Sequence, residues 1–317
     1  MPGTYTHISL VRLLTSGKAL NDLSLPHGAR TALLEYPEFC HMGSISPDYP
    51  YLNLVTGKTE SEHWANAMHH KYSILTKENI FHVGIDYLKS LTGDEQSQCL
   101  SWFLGYASHI TADVTCHPVT NLLVGDYDAG NQVPHRVSEM HQDVYIFSSR
   151  LKGDVRKSEH IKNVVGTCSS SGDKNKIEPF IEKMWRLMLL ESFPGINAKF
   201  NVDIHDWHSS VQFWLDNIAE ELSIIPSRHI RDALEEGGVS YPKEINRAYI
   251  DKLNTPNGIK SYDEIFDHAK ENIKKIWRLI TNGIFLNDTN YVDKLKIWNL
   301  DTGQEVNTPK TLWGGMV

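Results

Sequence analysis

Residues 108–117 read SHITADVTCH, so that His109, Asp113 and His117 recur at intervals of four residues. In an α-helix, side chains four positions apart lie one above another on the same face. Neutral imidazoles together with a carboxylate are ligands that zinc accepts. This face of the helix therefore predicts a metal site.

The preceding residues, 100–107, read LSWFLGYA and are apolar almost all round, which predicts that the helix is buried. Burying imidazole and carboxylate groups without partners is costly, and a metal ion supplies the partner. The alternative is a core helix whose histidines are satisfied by hydrogen bonds. It explains one histidine easily, but three coordinating groups in register favour the metal site.

A second face of this kind follows in the helix predicted from His135 to about Arg150. His135, Glu139 and Asp143 are spaced at i, i+4 and i+8. Asp143 fits two roles equally well, an acceptor for a ligand histidine or a solvated helix acid.

The chain has 317 residues, of which 40% are hydrophobic and 22% charged, as in an ordinary globular protein with a large core. We expect one domain over residues 1–317, with metal ligands in 1–150 and further helices and a tail in 151–317. The fold class is predicted as all-α, from helical patterns at about 60–75, 77–92, 95–123, 135–150, 178–192, 205–222, 226–236, 243–253 and 262–281. The tail from Asn287 predicts a short β-hairpin or a docked coil.

Shorter elements carry two further candidate ligands. A helix is predicted over residues 8–14, with His7 at its start, and another over 30–36. Residues 43–50 are predicted to form a loop that holds Asp48, because Pro47 and Pro50 disfavour helix. Residues 152–177 are polar and predict surface structure.

Charge and cysteine content indicate which binding partners and which cellular location to expect. The net charge of -8 gives no general attraction to nucleic acid or to an anionic membrane, although bound zinc would reverse the field near the site. No stretch approaches the ~18 apolar residues of a membrane span. The N-terminus lacks the basic region of a signal peptide, and the four cysteines form no CxxC pair. We therefore expect reduced thiols and a cytoplasmic location; the oligomeric state is left open.

Several of these residues, taken in order, resemble the ligand set of the zinc-dependent phospholipase C superfamily. The matching positions are His7, Ser46-Pro47-Asp48, His63-Trp64, Gly105-Tyr106, His109, Asp113, His117-Pro118, His135 and Glu139. The superfamily includes bacterial phospholipases C, the catalytic domain of glycosylphosphatidylinositol-specific phospholipase D and single-strand-specific nucleases. The resemblance covers about residues 1–150 and implies a mostly helical domain that hydrolyses phosphodiesters.

The resemblance also implies a ligand set for two to three zinc ions. The first ion would be held by Asp48, His63, His109 and a bridging Asp113, the second by His117, His135 and Glu139, and the third by His7, Asp113 and the chain end. The chain end offers Met1, or Pro2 if Met1 is removed. His69 and His70 are alternatives to His63, which the His-Trp pair and the spacing from Asp48 favour. Asp48 and Asp113 would be the catalytic residues, with Asp48 orienting the attacking water or receiving its proton.

The leading hypothesis is thus a zinc-dependent phosphodiesterase acting on a phospholipid or another phosphate ester. A nuclease is less favoured, because no basic stripe with interleaved aromatics is apparent. A protein that uses zinc to hold its helices or to bind a ligand is the non-catalytic alternative. The lack of a signal peptide also leaves open an intracellular member with a changed reaction.

Overall fold

The computed structural model describes residues 2–53, 60–69, 77–218 and 240–314. Its helices are α1 Thr4–Leu14, α2 Gly17–Asp22, α3 His27–Glu35, α4 Pro37–Gly43, α5 Tyr49–Leu52, α6 Glu60–Met68, α7 Ile80–Lys89, α8 Gly93–Val124, α9 Gln132–Leu151, α10 His160–Thr167, α11 Pro179–Ser192, α12 Pro194–Asn197, α13 Ile204–Phe213, α14 Tyr262–Phe285 and α15 Asn290–Lys294. The strands are β1 Ser169–Ser170, β2 Asp173–Ile177, β3 Leu253–Thr255, β4 Gly258–Lys260, β5 Trp298–Asn299 and β6 Gln304–Glu305, paired as three antiparallel hairpins. The all-α prediction is confirmed.

Helix α8 is the central element of the fold. Every residue from Cys99 to Thr120 is buried, and helices α3, α4, α7, α11 and α14 pack against it. Helix α14, which contains the pattern predicted at 262–281, has one buried face that includes Ile265, Ala269, Ile273, Ile276, Trp277 and Ile280. Trp277 donates from its indole nitrogen to the Leu104 carbonyl at 2.9 Å. Because α14 belongs to the second half of the chain, this packing supports our proposal of a single domain.

Helices α4 and α8 approach most closely at two glycines. A Cβ atom on Gly105 would lie 2.0 Å from the Cys40 carbonyl oxygen, and one on Gly43 would lie 2.0 Å from the Trp102 carbonyl oxygen. Neither position accepts a side chain at this separation. The contact sets the distance from α8 to the residues that follow α4, including Ser44 and Asp48.

Several predicted boundaries need correction. His7 lies inside α1, which begins four residues earlier than predicted. Residues 43–50 form the end of α4, a 3-10 turn at Ser46–Asp48 and the start of α5 rather than a loop. Pro47 and Pro50 occupy first-turn positions, where the missing N–H has no helical partner to lose.

Other differences lie further along the chain. Residues 152–177 contain α10 and the β1–β2 hairpin. The helix predicted at 243–253 is wrong, since that stretch forms a 3-10 turn at Arg247–Tyr249 and the first residue of β3. The helix predicted at 226–236 lies outside the described residues, as does part of that predicted at 60–75. The tail contains the β5–β6 hairpin. In the described part of the chain, no helix is long and apolar enough to cross a membrane.

The glycine contact gives a stability prediction. Gly105→Ala should lower the free energy of unfolding by about 1–3 kcal/mol or more, because the methyl group must push α4 away from α8. Gly166→Ala is the matched control, since Gly166 is an exposed glycine of α10 with open space around it. The control should be neutral or stabilising by up to about 1 kcal/mol. Urea denaturation of both variants tests this, and equal midpoints would contradict the packing argument.

Candidate metal centre

Four segments bring imidazole and carboxylate groups together around Asp113. His7 Nε2 lies 3.2 Å from Asp113 Oδ1, and His109 Nε2 lies 3.2 Å from Asp113 Oδ2. His69 Nε2 lies 3.3 Å from Asp48 Oδ1 and 3.7 Å from Asp113 Oδ2. The segments are α1, the 3-10 turn at Ser46–Asp48, the residue after α6, and α8.

Two overlapping groups have the composition and compactness of a metal site. The ligand atoms of His7, His109 and Asp113 lie within 4.8 Å of one another, as do those of Asp48, His69 and His109. Asp48 has 24% of its side chain exposed, whereas the side chains of His69 and His109 have none. The centre is therefore buried except on the Asp48 side.

Main-chain carbonyls fix the orientation of the histidine rings. The Nδ1 atom of His109 contacts the Ser44 carbonyl at 2.9 Å, and that of His69 contacts the Ala65 carbonyl at 2.8 Å. His117 Nδ1 contacts the Leu300 carbonyl, and His135 Nε2 contacts the Gly125 carbonyl at 2.6 Å. A carbonyl can only accept, so each contacting nitrogen carries the proton. In a neutral ring the opposite nitrogen then keeps its lone pair, as a metal ligand requires.

The opposite nitrogens of His109, His117 and His135 make no hydrogen bond in the part of the chain that the structure describes. Among the described residues, no hydrogen bond reaches His109 Nε2, His117 Nε2, His135 Nδ1, either nitrogen of His7 or either carboxylate oxygen of Asp113, although all are buried. Buried polar groups are nearly always paired, so a cluster of unpaired ones requires an explanation. A divalent cation fits, because it would engage the lone pairs of these nitrogens and oxygens together.

The stacked rings of His7 and His109 differ in the direction of their pKa shifts. The rings of His7 and His109 are parallel with centroids 4.1 Å apart. Burial lowers the pKa of His7, and the charge of His109 lowers it further. Burial also lowers the pKa of His109, but Asp113 and Asp48 outweigh that effect and raise it to about 9. Against its own burial, Asp113 has a pKa held well below the usual range by His109. In the metal-free centre a proton on His109 thus balances part of the negative charge.

The structure does not bring His63, the predicted ligand beside Asp48, into this cluster. Its ring stacks on Phe200 with centroids 3.9 Å apart, and His69 contacts Asp48 instead. Six residues of helix correspond to about 600°, so the two histidines point about 120° apart. His69 was one of the alternatives that the sequence offered, and the His63-Trp64 pair is explained by packing: Trp64 is buried and donates to the Asn201 carbonyl.

The predicted second group is only partly assembled. His117, His135 and Glu139 are all buried, yet within the described residues they do not form a group as compact as the two above. Burial raises the pKa of Glu139 to about 7 and lowers that of His135. Burial also holds the pKa of His117 well below its usual value. Both histidines are therefore neutral at neutral pH, as ligation requires.

Asp143 has neither of its predicted roles. It is fully buried and accepts from the main-chain N–H groups of Tyr5 at 3.0 Å and Thr6 at 2.7 Å, and from the Tyr241 hydroxyl at 3.0 Å. The carboxylate thereby caps the first turn of α1 and anchors it to α9. Pro2 precedes this turn and is buried, whereas Met1 lies outside the described residues. A ligand role for either stays a prediction.

Comparison with known proteins gives the family. The model of the family described as zinc-dependent phospholipase C matches residues 6–195, which is more than half of the chain. The chain belongs to this family. Neither curated proteins nor solved structures gave a match. The family is zinc-dependent and supports a phosphoesterase at family level.

The exchange of His63 for His69 can be tested directly. His69→Gln should reduce zinc binding by tenfold or more, since it removes a nitrogen that faces Asp48. His63→Gln is the control, because that ring is half-buried and only stacks on Phe200. We expect near wild-type zinc affinity from the control when zinc is titrated against a competing chelator. The assignment fails if His63→Gln is the variant that loses zinc.

Proposed function

We propose that this member of the zinc-dependent phospholipase C family hydrolyses phosphodiesters, with a phospholipid or another phosphate ester as substrate. The observation that supports this most strongly is the placement of the Asp113 carboxylate. Its Oδ1 atom faces His7 and its Oδ2 atom faces His109, so the two oxygens point toward different groups of ligands. A carboxylate in that position is suited to bridge two metal ions.

The residues divide into two sets of ligands. His109 has Nδ1 engaged by Ser44, so it has one nitrogen, Nε2, to offer. This nitrogen, Asp48, His69 and Asp113 Oδ2 would hold one zinc, and His7 with Asp113 Oδ1 would hold another. A third zinc at His117, His135 and Glu139 remains a proposal by resemblance. When bound, zinc lowers the pKa of a coordinated water toward neutrality and stabilises negative charge on phosphate oxygens.

The chain's own groups would orient the reaction. Asp48 lies at the exposed side of the cluster, where substrate and water can arrive. Its carboxylate is placed to hold the attacking water and accept its proton, while Asp113 stays buried among the histidines. In this assignment the zinc at His7 has two ligands among the described residues, His7 and Asp113 Oδ1, which leaves a tetrahedral ion positions for water and favours catalysis over a closed structural site.

The direct experiment is zinc analysis with assay on phosphodiesters. Zinc-loaded protein should contain two to three ions and hydrolyse bis(p-nitrophenyl) phosphate or p-nitrophenyl phosphorylcholine. Asp113→Asn should abolish hydrolysis and remove at least one zinc, because the amide nitrogen cannot replace a ligating oxygen. Asp94→Asn, an exposed residue in the first turn of the same helix, should leave both unchanged. Less than one zinc per wild-type chain would contradict the proposal.

The proposal also gives a pH dependence. Zinc must displace protons held by its ligands. With pKa values of about 7 for Glu139 and about 9 for His109, both are protonated at pH 6, whereas at pH 8 mainly His109 is. Saturation with zinc should therefore release about one proton more at pH 6 than at pH 8.

Calorimetry in buffers of different ionisation enthalpy measures that proton release. Glu139→Gln should abolish the difference between the two pH values, because the amide does not titrate. Asp126→Asn, which changes an exposed carboxyl near α9, should retain it. Equal proton release at both pH values in the wild type would show that zinc does not displace a proton from Glu139.

A further inference from the structure

The β5–β6 hairpin, residues 298–305, lies more than 100 residues beyond the segment that matches the family model. We propose that this hairpin positions His69 and His117 in the metal centre and thereby strengthens zinc binding. The inference rests on the proposed function, because it takes these two histidines as zinc ligands.

A single residue of the hairpin contacts both histidines. The Leu300 main-chain N–H donates to the His69 carbonyl at 3.1 Å, and the Leu300 carbonyl accepts from His117 Nδ1. Leu300 has no exposed surface. Its peptide groups therefore join the end of α6 to the C-terminal part of α8.

Leu300 acts on the ring of His117 and on the main chain of His69. By holding the proton on Nδ1 of His117, the Leu300 carbonyl leaves the lone pair on Nε2, which is buried and lacks a hydrogen bond among the described residues. His69 follows the last residue of α6, so its carbonyl is beyond the helix and takes its donor from Leu300. Partners that orient ligands in this way influence metal affinity strongly.

The hairpin is fixed to α8 at two further points. The Asn121 side-chain amide, one turn after His117, donates to the Asp301 carbonyl at 2.9 Å. Gly303 has φ +68°, and a Cβ there would lie 2.4 Å from Pro118 Cγ and 2.6 Å from the Val114 carbonyl oxygen. Pro118 has no N–H to donate to Val114, so the helix is already interrupted where the glycine packs. The close approach requires the absence of a side chain at position 303.

The hairpin also brings a negative charge toward the site. One carboxylate oxygen of Asp301 is fully buried, and its charge acts on the His135 ring and on the Tyr51 hydroxyl. Tyr51 in turn lies against His69, with ring centroids 5.3 Å apart. The hairpin thus contacts the two histidines through the main chain of Leu300, and its Asp301 side chain carries a negative charge toward the site.

Gly303→Ala displaces the hairpin without altering any proposed ligand. Its matched control is Gly172→Ala in the β1–β2 turn, where φ is +95° and a Cβ meets nothing within 4 Å. Both variants carry the backbone strain of an alanine at positive φ, but only the first has a steric clash. A second variant, Asn121→Ala, removes the hydrogen bond to Asp301 and keeps the glycine.

The measurements are the zinc dissociation constant from chelator competition and the visible absorption spectrum of the cobalt-substituted protein. We expect Gly303→Ala to weaken zinc binding by about tenfold or more and to change the cobalt bands, as loss of an orienting partner does. Asn121→Ala should produce a smaller change in the same direction, and Gly172→Ala should match the wild type.

The outcomes separate the two proposals. If the wild type binds no zinc, the proposed function fails. If the wild type binds zinc but Gly303→Ala and Asn121→Ala keep its affinity and cobalt spectrum, the hairpin is only packing and this inference is overturned, even where thermal stability falls. If Gly303→Ala does not fold, the zinc affinity and cobalt spectrum of Asn121→Ala are compared with those of Gly172→Ala, and that comparison tests the inference.

Discussion

The Asp113 carboxylate has no exposed surface, and the rings of His7, His69 and His109 surround it at 3.2–3.7 Å. Removing a carboxylate from water costs several kcal/mol unless a positive charge or good hydrogen bonds compensate. In the metal-free protein a proton on His109 supplies part of that charge. Two zinc ions would supply more, which explains why so costly a group is placed at the middle of the most buried helix.

This centre depends on how closely the helices approach one another. Gly43 and Gly105 let the main chains of α4 and α8 touch, which places the Ser44 carbonyl 2.9 Å from His109 Nδ1. The Asp143 carboxylate similarly fixes the first turn of α1 through the main-chain N–H groups of Tyr5 and Thr6, directly before His7. Helix packing therefore also orients the ligands, because it positions the main-chain carbonyls that accept from the histidine rings. Without such a carbonyl, the proton of a ring could move to the nitrogen that should bind the metal.

Periodicity was sufficient to predict that His109, Asp113 and His117 share a face of the buried helix α8, and that α14 forms over the pattern at 262–281. The choice between His63 and His69 could not be made in this way, because a helix end gives no repeat that distinguishes one face from another.

Contacts between distant residues were also beyond prediction. Leu300 is 183 residues from His117, and an apolar side chain gives no sign that its peptide group binds a histidine. Asp143 was misread because it continues the spacing of His135 and Glu139, whereas its partners are main-chain N–H groups, which no side-chain pattern reveals. The loop predicted at 43–50 was wrong because Pro47 and Pro50 were taken to exclude helix, whereas proline is also favoured in the first turn of a helix.

The most direct test of the account is anomalous X-ray diffraction at the zinc absorption edge from crystals of the zinc-loaded protein. The account predicts one anomalous peak between Asp113 Oδ1 and His7 and a second between Asp113 Oδ2, Asp48, His69 and His109, each within about 2.0–2.2 Å of its ligand atoms. A single peak bound to neither oxygen of Asp113, or none near this carboxylate, would contradict the claim that Asp113 bridges two metal ions.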